Sequence, residues 1–376
     1  MTSVDSTSIS QDQAKKFATE VLNSLYAEST EFPTKAWQLL GEFGLYGMPI
    51  HEDFGGLGIS CTDTCSVLEA LGASMDDQGL LHAACTQILC AVAIDRFGSE
   101  NQRQRYLPQI CNGSLICAQA LTEPNAGSNL AEISSQAILN NQHFVLNGSK
   151  VFTSNAPVAD IILVFCVTNP ERKNFGRMSC LIVEADLPGL SKGKPMAKMG
   201  LDSLQNGELF FDDCKVPEQN LLGKLGAGDS ISNEVMSWER IILFATMVGK
   251  QQRIIDECIE YTKSRKQGGQ SISKYQAVSH TLATMKVNHY LSSLAVNHAA
   301  EVKDLRKSAM LESSICKLFV SESLKAASLN AIQLRGGYGY MKEYGAEKDV
   351  RDSLASTIYS GTSEIQRNII ARLMGL

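Results

Sequence analysis

Apolar residues recur at helical spacing in the first part of the chain, from about residue 10 to residue 115. The most apolar stretch there, residues 80–94, predicts a buried helix in which His82 is one of the few polar residues. A single histidine in such a helix is more often a satisfied core residue than a ligand. The glycine-rich segment 54–58 predicts a tight turn between helices, because no strand precedes it and no Gly-Lys-Ser/Thr follows.

Between about residues 116 and 225 the pattern changes to short β-rich runs separated by turn residues. The runs are residues 144–146, 161–167, 180–183 and 209–211. Asn147-Gly148, directly after the first run, is a strong hairpin signal. This region therefore predicts a compact β unit, either a sandwich or a barrel.

Helical periodicity returns after the β region and persists almost to the end of the chain. Three long amphipathic stretches, residues 231–264, 276–304 and 311–334, predict a helical bundle. The predicted fold class is α+β, with an N-terminal α-helical domain (1–115), a middle β domain (116–225) and a C-terminal four-helix bundle (226–376).

Composition narrows the function classes. The 376 residues are 44% hydrophobic and carry a net charge of −6, which is unlike the basic footprint of a nucleic-acid-binding protein. The eleven cysteines lie apart from one another without metal-site spacing, so we expect no metal and a reducing cytoplasmic location. Residues 1–16 are polar and no apolar run is long enough to span a bilayer, so neither a secretory signal nor a membrane segment is expected.

Glu239 is the first candidate for chemistry. It falls on or beside the apolar face of the predicted helix 231–264, four residues after Val235 and three before Ile242. Burial of a carboxylate raises its pKa towards the range that a general base needs. No cation shares that face of the helix, but a structural ion pair with another helix remains an alternative.

Two polar segments border the predicted β unit. Residues 121–129 combine hydroxyls, small residues and free backbone amides that suit a planar polar cofactor, and residues 150–155 add an aromatic ring and two hydroxyls. A plain surface loop is the alternative interpretation, and composition alone leaves it open.

These segments together resemble one family. Residues 120–129 resemble the signature of the acyl-CoA dehydrogenase superfamily, and residues 150–155 resemble its second flavin motif. Further matches follow in family order and spacing over nearly the whole chain: residues 210–223, 239–240, 265–276, 333–337 and 359–367. The resemblance implies an FAD-dependent dehydrogenase that removes two hydrogens from the α and β carbons of an acyl thioester.

The resemblance also implies roles for individual residues. Those expected along the flavin ring and pyrophosphate are Leu121, Thr122, Gly127 and Ser128, with Phe152 on the isoalloxazine and Ser154 at its N5/O4 edge. Those expected to reach the FAD of a neighbouring subunit are Arg265, Gln276, Gln333, Gly336 and Gly337. Thr362 and Glu364 are expected at the adenosine and pyrophosphate part. An FAD shared in this way implies a homodimer or a homotetramer.

The catalytic base departs from the commoner family pattern. Most relatives carry the catalytic glutamate directly after the motif tyrosine, where this chain has Ser360 after Tyr359. A serine hydroxyl is too weak an acid to replace it unaided. A minority of the family keeps the base just before the helix arginine, here Arg240, and that position is Glu239. The resemblance therefore implies Glu239 as the base, the backbone N–H of Ser360 as a donor to the thioester carbonyl, and Arg240 and Tyr359 at the substrate.

Glu239, Ser360 and the Gln267-Gly268-Gly269 turn resemble the carrier-protein-linked branch of the family, which oxidises prolyl-like groups in antibiotic or toxin biosynthesis. An acidic carrier could dock on the basic cluster of Arg172, Lys173 and Arg177, although a solvated loop is the simpler interpretation of that cluster. Two other functions stay open. One is a catabolic short- or branched-chain acyl-CoA dehydrogenase, and the other is a non-catalytic helical binding protein on the same fold.

Overall fold

The computed structural model describes residues 9–172, 175–305 and 308–376 of the chain. Lys173 of the basic cluster and the first eight residues of the polar N-terminal segment lie outside this described part. Helices come first along the chain, a β-sheet follows, and long helices complete it. The predicted α+β fold class is therefore confirmed.

Short and medium-length helices form the N-terminal region. They are α1 (Gln11–Phe17, continued by a π-helical turn, Ala18–Leu22), α2 (Thr34–Glu42), α3 (Cys61–Ser74), α4 (Gln78–Phe97) and α5 (Glu100–Cys111). The predicted turn at residues 54–58 is confirmed, and a Cβ at Gly56 would meet Ile50 O at 2.0 Å, so only glycine fits there. Asp77 caps the N-terminus of α4 by accepting a hydrogen bond from Leu80 N at 2.9 Å.

Helix α4 is the central helix of this region. By length and composition alone it is apolar enough to cross a membrane, but 83% of its most apolar stretch is buried inside the protein. Fifteen of its residues are buried, among them Gln87, whose side chain hydrogen-bonds to Ile110 O, Leu115 O and Cys117 N. These bonds tie α4 to α5 and to the first strand.

An eight-stranded sheet follows the helices. Its strands are β1 (Cys117–Ala120), β2 (Gln136–Asn140), β3 (His143–Ser154), β4 (Ile161–Val167), β5 (Met178–Glu184), β6 (Leu190–Lys192), β7 (Asn206–Pro217) and β8 (Leu221–Leu222). Neighbours run in the order β6-β7-β3-β2-β4-β5-β8, and β1 pairs in parallel with β4. All seven residues of β4 are buried, as expected of a strand covered on both faces.

The predicted hairpin at Asn147-Gly148 is wrong. Strand β3 continues through both residues, and its two-residue turn lies earlier, at Asn141-Gln142, where Asn141 has φ +55°. The pairing of β3 with β7 shifts register at this point, where Asn147 Oδ1 accepts from Asp213 N at 2.8 Å. Gly148 has φ +136° and lies against Ser135, so this glycine serves a close packing contact opposite a bulge of β7.

Five further α-helices and a short hairpin complete the chain. They are α6 (Gly228–Ser264), the hairpin β9 (Lys266–Gln267) and β10 (Gln270–Ser271), α7 (Gln276–Asp304), α8 (Met310–Arg335), α9 (Ala346–Leu354) and α10 (Ser363–Leu373). The three predicted long helices are confirmed as α6, α7 and α8. Helix α6 packs against α3 at almost backbone contact: a Cβ at Gly72 would meet Thr246 O at 2.0 Å, and one at Gly249 would meet Glu69 O at 1.9 Å.

Candidate functional site

Glu239 and Ser360 form the centre of the site. Glu239 lies on α6, and Ser360 lies in the turn between α9 and α10. The Ser360 hydroxyl donates a hydrogen bond to Glu239 Oε1 over 2.5 Å. Ser360, which stands where most relatives carry the catalytic glutamate, is therefore in direct contact with Glu239, the predicted base.

The environment of Glu239 suits a proton acceptor. Burial raises the pKa of its carboxyl, while the hydrogen bond from Ser360 and the positive charges of Arg240 and Lys317 oppose that rise. No ion pair to Glu239 exists among the described residues, so the structural ion pair considered above does not form within the described part of the chain. The side chain is half-buried rather than in bulk solvent.

Arg240 fixes the Ser360 turn. Its Nε donates to Ser360 O over 3.1 Å, and Gln366 Nε2 donates to the same oxygen over 3.0 Å. Ser360 itself has φ +57°, a left-handed conformation that costs free energy in a non-glycine residue and persists only where the surroundings impose it. Arg240 therefore acts on the turn, a contact that the sequence did not predict, and its predicted contact with substrate stays a prediction.

The backbone N–H of Ser360 hydrogen-bonds to no described residue, although Ser360 is buried. A buried N–H without a partner is rare in proteins, since its desolvation costs free energy. This N–H is therefore suited to receive an oxygen atom of a bound molecule.

Helix α4 also borders the site. The imidazole of His82 packs edge-on against the ring of Tyr359, with 4.9 Å between ring centroids. Burial, reinforced by the charge of Lys198, lowers the pKa of His82 to about 4. The side chain is half-buried, and neither ring nitrogen hydrogen-bonds to a described residue. Its isolated position as a polar residue in an apolar stretch was the one sequence signal for it.

Phe152 lies at a bulge of β3. The pairing with β7 gains one residue on β3 between Lys150 and Thr153, and Phe152 there has φ +57° with 65% of its surface exposed. Asn206 Nδ2 donates to Phe152 O and to Ser154 Oγ, each over 3.2 Å, and so holds the bulge. A strained backbone that presents an aromatic ring to solvent indicates a surface made for a ligand.

A buried ion pair connects this bulge to the loop 121–128. Lys150 Nζ donates to Glu123 Oε1 over 2.8 Å and to Leu121 O over 3.0 Å, and the side chains of both charged residues are almost completely buried. Burial opposes ionisation of Glu123, but hydrogen bonds from Lys150, Ser135 and Ser134 outweigh it and lower the pKa to about 2. Val151 N also donates to Thr122 O over 3.0 Å. The first two flavin motifs are therefore in contact.

Asn155 joins the bulge to the site wall. Its Nδ2 donates to Ala83 O of α4 over 3.2 Å and to Cys117 O of β1 over 3.1 Å. The strand end that carries Phe152 and the helix that carries His82 are thus connected through a single buried amide.

The remaining predicted cofactor residues fall into two groups. Arg265, Gln333, Gly336 and Gly337 line one cavity of about 440 Å³, in which Tyr338 packs under the Arg265 guanidinium at 5.6 Å. No residue of the loop 121–128 or of the segment 150–155 lines that cavity, and neither does Gln276, which is exposed at the start of α7. Thr362 caps α10 by accepting from Ile365 N over 3.3 Å, and Glu364 is exposed in its first turn.

In the basic cluster of Arg172, Lys173 and Arg177, one cation is already hydrogen-bonded within the protein. Arg177 Nη1 donates to Ala131 O over 3.2 Å and to Ile133 O over 2.9 Å, so this side chain holds a neighbouring loop. Arg172 is exposed, and Lys173 lies outside the described residues. All eleven cysteines are buried with free thiols, and no cluster of possible metal ligands exists among the described residues.

The sequence matches three consecutive family descriptions. They are "Acyl-CoA dehydrogenase, N-terminal domain" over residues 5–114, "Acyl-CoA dehydrogenase, middle domain" over 118–214 and "Acyl-CoA dehydrogenase, C-terminal domain" over 226–375. An L-prolyl-[peptidyl-carrier protein] dehydrogenase of Pseudomonas fluorescens is 37% identical over 93% of this chain and 92% of its own length.

Solved structures agree with these matches. The prolyl acyl carrier protein oxidase AnaB is 35% identical, has a TM-score of 0.95 and is matched over 97% of this chain and 98% of its own. PigA in complex with FAD is 32% identical, has a TM-score of 0.96 and is matched over 100% of this chain and 99% of its own.

Proposed function

Because the chain belongs to the acyl-CoA dehydrogenase family, we propose that it oxidises the bond between the α and β carbons of an acyl thioester. One observation carries this proposal: Glu239 is half-buried, has a raised pKa, forms no ion pair with a described residue and receives a hydrogen bond from Ser360. These are the properties of a general base held ready in a partly desolvated site.

The residues fit an FAD. Phe152 exposes its ring beside the loop 121–128, a Cβ at Gly127 would meet nothing within 4 Å, and the buried Thr153 hydroxyl has no partner among the described residues. An open approach, an aromatic face and an unpaired polar atom are what a planar polar cofactor requires. We assign the near part of the cofactor to Leu121, Thr122, Gly127, Ser128, Phe152 and Ser154. FAD bound there supplies the two-electron acceptor of the oxidation.

The second group of cofactor residues supports an oligomer. The cavity of Arg265, Gln333, Gly336 and Gly337 contains no residue of the first group, so we propose that it receives the FAD of a second subunit. Helix α7 leaves several large apolar side chains exposed, which a subunit interface would cover: Val287, Tyr290, Leu291 and Leu294. The proposed state is a homodimer or a homotetramer, with Gln276, Thr362 and Glu364 as further cofactor contacts.

Glu239 and Ser360 act on different atoms of the thioester. Glu239 removes the α proton, and the free N–H of Ser360 donates a hydrogen bond to the thioester carbonyl oxygen, on which negative charge develops. The Ser360 hydroxyl is then not the base; it holds the carboxylate of Glu239 in place. Arg240 maintains the left-handed turn in which this N–H has no partner among the described residues.

We propose a prolyl-like aminoacyl group on a carrier protein as the substrate, in a biosynthetic pathway. The L-prolyl-[peptidyl-carrier protein] dehydrogenase and the AnaB structure, each matched over more than nine-tenths of both chains, support this choice. Oxidation of a carrier-bound prolyl group is the reaction named for those two proteins. For this chain it is the hypothesis to test.

The test compares thioesters on the oxidised holoenzyme. Prolyl-carrier protein and a panel of acyl-CoA esters are mixed with it, the flavin absorbance is followed, and the product is weighed for the loss of two hydrogens. Bleaching by prolyl-carrier protein, with little effect of the CoA esters, is the expected result. Bleaching by a short or branched acyl-CoA instead would reject the substrate but keep the reaction, whereas no bleaching by any thioester would reject both.

A further inference from the structure

Lys317 of α8 is a buried cation without a pairing partner. Its side chain is fully buried, yet its Nζ atom neither hydrogen-bonds nor forms an ion pair within the described part of the chain. The other lysines that the structure describes as buried, Lys150, Lys250 and Lys303, each pair with a carboxylate. Packing alone does not account for this cation, because a methionine of similar length would fill the space without burying an unpaired charge.

Two aromatic rings connect this ammonium to the candidate site. Lys317 Nζ lies 6.0 Å from the centroid of the Phe244 ring, a distance at which a cation and an aromatic ring attract each other. The Phe244 ring is in turn 6.3 Å from the ring of Tyr359, which directly precedes Ser360. Phe244 also follows Arg240 by four residues on α6, so both side chains lie on the same face of that helix. Lys317 therefore packs against the part of α6 that adjoins the Ser360 turn.

Glu239 and Lys317 stabilise each other's charged form. The ammonium favours the ionised Glu239 carboxylate, and the carboxylate favours the protonated lysine. Burial lowers the pKa of Lys317 to about 8; Arg240 reinforces this effect, and the carboxylates of Glu322, Glu364 and Glu239 oppose it. Lys317 therefore keeps its positive charge at neutral pH and below, where a carboxyl group titrates.

The other groups near these two charges do not replace the lysine. Glu322 on α8 already pairs with Lys325 over 2.7 Å. Burial raises the pKa of the Cys85 thiol on α4 and of the Tyr359 hydroxyl, so both groups next to Glu239 are neutral at physiological pH. Among the described residues, the lysine of α8 is the one cation from a second helix that acts on the Glu239 carboxylate.

We propose that Lys317 is a positioning residue for the dehydrogenation: its buried ammonium is the counter-charge that keeps the Glu239 carboxylate ionised for removal of the α proton. In this role the lysine touches neither substrate nor cofactor and acts only through the base. The inference rests on the proposed function and deepens it, because it explains how a carboxylate stays ionised in a partly desolvated site.

The test compares the pH dependence of kcat/KM in FAD-loaded variants, with the thioester that the wild-type protein oxidises best. Lys317→Met removes the charge and should move the acid limb to higher pH by about half a unit or more, because the Glu239 carboxyl then binds its proton more tightly. Lys317→Arg keeps the charge and should return the limb towards its wild-type position. Lys325→Met removes a partly exposed cation from the same helix and should leave the limb in place.

A second measurement does not depend on turnover. Infrared difference titration of the FAD-loaded protein follows the C=O band of the protonated Glu239 carboxyl, which is identified by its absence in Glu239→Gln. The midpoint of this band should lie at higher pH in Lys317→Met than in the wild-type protein. Should Lys317→Met not fold, Lys317→Gln takes its place with the same expected shift.

The outcomes separate the two claims. A purely structural role for Lys317 would lower kcat/KM at every pH and move neither the acid limb nor the infrared midpoint, which would overturn the inference while the dehydrogenase function stands. If the wild-type protein oxidises no thioester, the proposed function fails, and the infrared midpoint alone then decides whether Lys317 controls the charge of Glu239.

Discussion

The hydroxyl of Ser360 donates a hydrogen bond to the carboxylate of Glu239 across 2.5 Å, although 121 positions separate the two residues in the chain. The contact joins helix α6 to the turn before α10. A serine hydroxyl is too weak an acid to serve as the base itself. In this contact the hydroxyl instead positions the base and favours its charged form.

The first prediction concerns the base itself. Glu239→Gln keeps the size of the side chain and an oxygen that can accept from Ser360, but it removes the proton acceptor. We expect FAD to stay bound, while flavin reduction by substrate slows by about 10²-fold or more. Stopped-flow absorbance with substrate measures the rate. Reduction at the wild-type rate would dismiss Glu239 as the base.

The second prediction concerns the hydrogen bond to that base. Removing the Ser360 hydroxyl takes away a contact that lowers the pKa of Glu239, so the pKa should rise further. Because the base must be deprotonated, the acid limb of the kcat/KM profile should move to higher pH. Activity should fall several-fold on the acid limb of the profile and recover as the pH rises.

Two variants separate this effect from backbone strain. Ser360→Ala leaves a side chain at φ +57°, whereas Ser360→Gly accepts that conformation without cost. Both should move the acid limb alike and differ only in thermal stability. An acid limb that stays in place in both variants would contradict the assigned role of the hydroxyl.

The third prediction concerns the buried ion pair of Lys150 and Glu123. Lys150→Met leaves the Glu123 carboxylate buried without its cation, which should cost about 3–5 kcal/mol of unfolding free energy. The double variant Lys150→Met/Glu123→Gln removes both charges and should recover part of that loss. Urea unfolding of the single and double variants measures the coupling, and simple additivity would show that the pair does not act as a unit.

The same pair gives the protein a pH-dependent stability. The pKa of Glu123 is lowered to about 2 in the folded state. The stability that its ionised carboxylate contributes is therefore fully present at every pH above the ordinary pKa of a carboxyl group. That contribution is lost as the pH falls through about 2. Wild-type unfolding free energy should therefore decline with acid more steeply than that of the double variant.

The fourth prediction concerns Phe152. Phe152→Ala removes the exposed ring from the bulge and should weaken FAD binding about tenfold, while the stability of the apoprotein changes little. Fluorescence titration of the apoprotein with FAD measures the affinity. Phe175→Ala is the matched control, because Phe175 is 66% exposed and Phe152 is 65% exposed, but Phe175 lies outside the cofactor segments. Equal losses in both variants would reject the stacking role.

The fifth prediction concerns the second cofactor cavity. A side chain at Gly337 has free space, since a Cβ there meets nothing within 4 Å, so Gly337→Leu should fold normally and occupy the cavity. FAD should then bind about tenfold more weakly or worse. Tyr340→Leu, an equally accessible change outside the cavity, should retain FAD. Normal FAD content in Gly337→Leu would remove the cavity from the cofactor site.

Elements with a strong local period could be predicted from the sequence. The amphipathic repeats located α6, α7 and α8 almost to their ends, because burial of one helix face imposes that repeat. The Asn147-Gly148 signal misled because the same residues suit a tight turn and a strand position opposite a bulge of β7, and only pairing with β7 decides between them.

In the site, too, some features follow from the local sequence and others depend on tertiary packing. Glu239 stood out on its helix, yet its contact with Ser360 depends on how the turn before α10 returns to α6 while α10 itself packs against α8. The edge-on contact of His82 with Tyr359 depends in the same way on how the turn before α10 lies against α4.

The amide of Asn155 has a mechanical consequence. It clamps the end of β3 to the backbone of α4, one residue after His82, so a shift of α4 also moves the strand end that carries Phe152, the residue proposed to pack on the flavin. The colour of the bound cofactor should then respond to any acyl group that shifts α4, even in an enzyme whose base has been disabled. Occupancy could be read optically, without turnover.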